Sequence, residues 1–207
     1  MSRRLTAAVL ALAAVALSGC VTVFPKSDPV QLYRFQAAPA RQAAPAGPMF
    51  GVLRLTTGFP RASAGDRILT VSAGGEAAYI AGARWVSPAS VMFDEQVAAA
   101  FQGAGRARLI GRGEVIRADY ALKLDVLAFE TRYDRGPRAA PEVVIRVRAL
   151  LTRNRDRAVM GDQVFAAAVR ATDNRLGAIV PAHDQALSGV LGELVAWVDA
   201  VDTRAAP

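Results

Sequence analysis

Behind Arg3 and Arg4 the chain runs almost wholly apolar from Leu5 to Leu17, and the small residues Ser18 and Gly19 follow. Charge, apolar core and small residues in that order predict a secretory signal peptide over residues 1–19, and the run is too short for a permanent transmembrane helix. Beyond it the spacing of apolar positions changes. "VQLYRF", Val30 to Phe35, alternates and predicts a first strand. "QAAPARQAAPAGP" scatters prolines among alanines, can bury little, and reads as a loop or spacer. "MFGVLRL" (Met49 to Leu55) and "DRILTV" (Asp66 to Val71) predict two more strands. "EAAYI" after Gly74-Gly75 makes residues 67–80 a hairpin whose turn uses glycine at positive φ.

Ser87 and Pro88 then announce a helix, serine as cap and proline at the first helical position. Phe93, Val97, Ala100 and Phe101 form its apolar stripe, and Gly103 and Gly105 end it. From Asp119 to Arg132, Tyr120, Leu122, Leu124, Val126 and Ala128 alternate with polar residues. Leu127 and Phe129 break that alternation, so the far end of this strand is covered on both faces or bulged. "DRGPRAAP" turns the chain into Val143, Ile145, Val147, Ala149 and Leu151, a long antiparallel hairpin, and Ala158 to Ala171 adds a third meander strand. A last helix is predicted from about Pro181 to Val201, with Leu187, Val190, Leu191, Leu194, Val198 and Val201 on one stripe and Trp197 at its border. These elements predict the α+β class: an antiparallel β-sheet with two main amphipathic helices packed on one face. No repeat of fixed period is present.

Charge changes this picture little. The formal net charge of +7 becomes +5 once Arg3 and Arg4 leave with the signal, and Lys26 and Lys123 are the only lysines. The arginines are spread along the chain and interrupted by acids, which argues against nucleic acid as a partner, as does export. Anionic lipid head groups, or simply an arginine-rich proteome, account for the basic balance.

Candidate catalytic chemistry is thin. His183 is the only histidine, and beside Asp184 at the predicted helix start it reads as a solvated or capping residue. Neither "ALSG" nor "SVMF" forms a nucleophile elbow, and "GAGRARLIGRG" lacks the phosphate-binding lysine and reads as a helix end, a strand and a turn. Asp94-Glu95 reads as a solvated helix face. No metal site, no cofactor and no enzyme activity are expected.

Cys20, the only cysteine, has no partner in the chain for a disulfide and too few companions for a structural zinc site. "LSGC", Leu17 to Cys20, resembles a bacterial lipobox, in which cleavage precedes the cysteine and the thiol carries diacylglycerol. An ordinary signal peptide or a buried cysteine is the alternative. The lipobox reading makes residues 20–29 a lipidated tether and residues 30–202 a single domain, with several acyl chains giving stable anchoring. Val21, in place of the aspartate that often signals inner-membrane retention, points to the outer membrane.

The lipobox cysteine, "YRF", "DRILTV", "GGEAAYIAGARWVSP", the helix after it and "ADYALKLDVLAFE", taken in this order, resemble the ABC-type transport auxiliary lipoprotein family over about residues 30–200. That family includes the lipoprotein partners of paraquat-inducible and other MCE-type systems. The resemblance implies a lipoprotein on the inner leaflet of the outer membrane, facing the periplasm. It would dock an MCE-domain protein and, through it, an ABC permease and ATPase that move lipids or other hydrophobic compounds. Tyr79, Arg84 and Trp85 are the candidate partner contacts; the alternative is that Trp85 and Tyr79 close the core beside the helix. Two other readings stand: a lipid carrier with a cavity lined by Leu122, Leu124 and the last helix, or a structural lipoprotein of outer-membrane assembly. An open meander edge would allow homo-oligomerisation.

Overall fold

A computed structural model describes residues 30–36, 47–102, 105–111, 114 and 117–203. The signal segment, Cys20, the tether, most of the spacer, Gly103 and the side chain of Val201 lie outside the described residues. Eight strands form one sheet: β1 (Gln31–Tyr33), β2 (Phe50–Arg54), β3 (Arg67–Ser72), β4 (Ala77–Trp85), β5 (Ala107–Ile110), β6 (Tyr120–Tyr133), β7 (Glu142–Arg153) and β8 (Val159–Arg170). Among the described residues three helices accompany it: a single turn α1 (Arg61–Ala64), α2 (Ala89–Gln102) and α3 (Leu176–Thr203).

The α+β class holds, while the sheet is mixed. Antiparallel pairing joins β3 to β4 and β6 to β7 to β8, as the alternation predicts. The junctions β1–β4, β2–β5, β2–β6 and β3–β6 are parallel. The parallel pairs join segments far apart in sequence, which no local pattern reports. β6 is the hub. One edge carries β7 throughout; the other is shared, with β2 beside the Tyr120 half and β3 beside Thr131 to Tyr133. β8 is an outer edge within this chain. The 67–80 hairpin turns at Gly75, whose φ of +81° is open to glycine at no steric cost. β4 continues five residues past the predicted end, through a bulge opposite Ile68 that breaks its alternation.

β6 also bulges, between Val126 and Ala128. Leu127 is the extra residue; it stays 46% exposed while Phe129 turns into the core at 3%. Phe129 packs 5.7 Å from Phe59, which meets Phe93 of α2 edge-on, and 5.5 Å from His183 of α3, so both helices lie on one face. The core comprises that helix layer and the inward residues Leu122, Leu124, Val143, Ile145, Val147, Ala149, Leu151 and Phe165. The opposite face carries charge pairs, Arg148 with Asp162 across β7 and β8 and Arg132 with Glu130 along β6. Such exposed pairs contribute little each.

α3 starts five residues before the predicted position, placing Pro181 inside the helix. Proline there costs one backbone bond, but the added turn buries Ile179 and Val180. At α2, Met92 N donates to Pro88 O, so Pro88 takes the cap position in place of Ser87, and Gly65 O accepts from the Ala89 amide. Asp94 does more than face solvent: it pairs with Arg54 and accepts from Thr57 Oγ1 at 2.7 Å, tying α2 to β2, while Glu95 is exposed.

Candidate functional site

The three predicted contacts separate across β4. Trp85 is 2% exposed and stands edge-on to Phe35 of the incoming chain at 5.1 Å and to His183 at 5.2 Å. It closes the core and presents no surface. By register Arg84 pairs with Arg67, and Tyr79 with Leu69, so both predicted residues share the face opposite Trp85. There the Arg67 guanidinium lies 3.9 Å over the Tyr79 ring, Tyr79 Oη donates to Ala62 O at 3.0 Å, and exposed Arg84 pairs with Asp66 at 2.8 Å. Tyr79 and Arg84 thus border one half-exposed patch between α1 and the β3–β4 hairpin.

His183 is neither solvated nor a cap. With the helix begun at Leu176 it falls in the second turn on the core side, 1% exposed. Nδ1 lies 3.0 Å from Ile179 O, where only an N–H can donate. Burial pushes its pKa down to about 4, against the hydrogen bond, so the imidazole is neutral and structural. Its neighbour Asp184 accepts from Gln36 N at 2.6 Å and fastens the chain just after β1; burial raises this carboxyl above the usual range.

A concave site that sequence reasoning did not single out lies at the Tyr120 end of the sheet. Tyr120 pairs with Arg153 across the hairpin and with Val52 on β2, which brings Phe50 edge-on to Tyr120 at 5.5 Å. Asp119 Oδ2 accepts from Gly51 N at 2.9 Å, and Asn154 Nδ2 donates to Ala118 O at 2.8 Å. The cleft so framed, about 380 Å³, is lined by Phe50, Arg117, Asp119, Tyr120, Arg153 and Arg155, among others. Arg153 is held by a two-point contact with Asp156, whose carboxyl it lowers to about 2. An adjoining hollow of about 240 Å³ shares Phe50, Arg117 and Asp119 and adds Met49, Arg108 and Ile110. The one local signal for it is the basic run "RNRDR", Arg153 to Arg157; the rest converges through strand register.

Among the described residues no group of three or more His, Cys, Asp or Glu could hold a metal ion, and no helix is long and apolar enough to cross a membrane. Leu122 and Leu124 are fully buried, packed in the core.

Among solved structures, a Xanthomonas campestris protein of the family DUF330 is 26% identical, with a TM-score of 0.75, over 84% of this chain and 98% of its own. An uncharacterised protein matches at 14% identity and a TM-score of 0.62 over 83% of this chain and 99% of its own, a likeness of fold alone. A hypothetical protein from Chlamydia trachomatis follows at 11% identity and 0.49, over 74% of this chain and 99% of its own. No curated protein matches. The model of the ABC-type transport auxiliary lipoprotein component matches residues 32–195, nearly all of the described fold. On that match the chain belongs to the ABC-type transport auxiliary lipoprotein family.

Proposed function

We propose that this lipoprotein is a non-catalytic accessory subunit of an MCE-type ABC transport system, one that moves lipids or other hydrophobic compounds across the cell envelope, and that it works by docking. The carrying observation is the family match over residues 32–195. Two features support it: the one imidazole is shut in the core, and the one thiol, Cys20, stands in a lipobox-like "LSGC". No cofactor enters this role.

Acyl chains on Cys20 would hold the domain to the inner leaflet of the outer membrane, with the fold in the periplasm. β1 runs parallel to β4, antiparallel to β3 and so away from the Tyr133 end of β6. A tether ahead of β1 would enter from that side, leaving the Tyr120 end, about 40 Å along the hairpin, pointed away from the membrane. The Tyr79–Arg84 patch offers an aromatic ring and a guanidinium to an MCE-domain protein, with Trp85 holding the strand from beneath.

Crosslinking pull-down of the lipidated protein from native envelopes tests this. An MCE-domain protein is expected with the wild type, several-fold less with Tyr79→Ala combined with Arg84→Glu, and little with Cys20→Ala, which lacks the anchor. Recovery of outer-membrane assembly proteins alone, or of no specific protein, overturns the reading.

A further inference from the structure

The cleft at the Tyr120 end holds more positive charge than its own acids neutralise. Across the two adjoining hollows four arginines, Arg108, Arg117, Arg153 and Arg155, face one aspartate, Asp119. Of the four, only Arg153 is fully committed, to Asp156. Arg155 reaches Asp156 at 3.8 Å and Arg108 reaches Glu114 at 3.9 Å, both loose contacts on side chains 71% and 59% exposed. Arg117 is exposed and has no ion pair among the described residues. Three guanidiniums therefore stand around a concavity without a close anionic partner, and guanidinium forks match the oxygens of a phosphate.

The floor of the same concavity is apolar. Phe50 and Tyr120 form it, and past Phe50 it opens toward Ile110 and Met49, which is 71% exposed. A methionine left so far in water beside an arginine rim suits a ligand with an anionic head and an apolar body.

We propose that this cleft binds the phosphate group of an anionic amphiphile, with Arg117 and Arg155 on the phosphate oxygens and Met49 and Phe50 against the first carbons of the chains. The choice of an amphiphile over a free phosphate rests on the transport reading; the anion site rests on the arginines alone.

The full-length lipoprotein, held in phosphatidylcholine nanodiscs, is titrated calorimetrically with three probes: dihexanoylphosphatidylglycerol, dihexanoylphosphatidylcholine and inorganic phosphate. Both lipids stay below their micellar concentrations, and empty nanodiscs supply the blank. The phosphatidylglycerol probe is expected to bind at least tenfold more tightly than either other probe. Arg117→Ala and Arg155→Ala should each weaken it about tenfold, while Arg138→Ala, in the turn at the opposite end, leaves it unchanged. All three side chains are solvent-facing, so circular dichroism should show intact folds. Equal affinity for the two lipids, or no effect of Arg117→Ala, overturns the proposal. Inorganic phosphate binding as tightly as phosphatidylglycerol overturns the amphiphile and identifies a free phosphate as the ligand. Recovery of an MCE partner without phosphatidylglycerol binding removes this proposal and leaves the docking role standing.

Discussion

His183 carries a cost that depends on pH. Its ring is wedged between Trp85 and Phe129, so a proton would place an unsolvated cation among aromatic carbons. With the folded pKa near 4 and the unfolded value near 6.5, the native and unfolded states are both neutral above pH 6.5, and stability is then at its full value. As pH falls from 6.5 toward 4 only the unfolded chain takes up the proton, and stability drops by about 3 kcal/mol. Asp184 works weakly in the other direction, because its raised pKa lets the folded state bind a proton first. Urea midpoints measured between pH 7 and pH 4 should therefore fall steeply for the wild type and only slightly for His183→Phe. Parallel slopes for the two proteins would show that another group carries the acid sensitivity. None of this was legible beside Asp184 in the sequence, because Pro181 reads as a first helical position and only the burial of Ile179 and Val180 moves the start back.

At the scale of elements, local alternation predicted β6, β7 and β8 to within one or two residues at each end, because a half-buried meander writes its period into the chain. The second half of β4 escaped because a bulge interrupts that period, and α1 because a single turn has none. The basic cleft was hidden for another reason. Arg117 and Arg153 are brought together only by the pairing of Tyr120 with Arg153, a register set over the whole hairpin. The attachment of β5 is likewise a tertiary matter. Asp199, 5% exposed on α3, accepts from the amides of Arg106 and Ala107 at 3.0 and 2.9 Å and so caps the start of that strand. Gly105 just before it has φ of +86°, and a Cβ there would strike the Asp199 carboxylate. Asp199→Ala leaves two buried amides unpaired and should lower stability in urea by about 3 kcal/mol, while Asp199→Asn, which keeps one acceptor oxygen, should lose about half as much. Equal losses for the two would mean that the charge, and not the two hydrogen bonds, holds the strand.

Over the whole molecule, stability and exposure to partners run in opposite directions. β6 and β7 are paired on both edges and covered by α3, whereas β1 has three residues and β5 four, each with one neighbouring strand. Yet β1 would receive the proposed tether and β5 borders the cleft, so the parts that would meet the membrane and a ligand are the most weakly held. α3 ties both down: Asp184 binds the chain after β1, and Asp199, fifteen residues and about 22 Å further along the helix, binds β5. Native-state hydrogen exchange should find the slowest amides in β6, β7 and α3 and the fastest strand amides in β1 and β5. Because the two ties share no partner and stand far apart, each variant should act locally and their effects should add. Asp184→Ala is expected to speed exchange in β1 and leave β5 alone, and Asp199→Ala to do the reverse. Acceleration of both strands by either variant would show that α3 docks and undocks as one body, coupling the β1 end of the domain to its basic cleft.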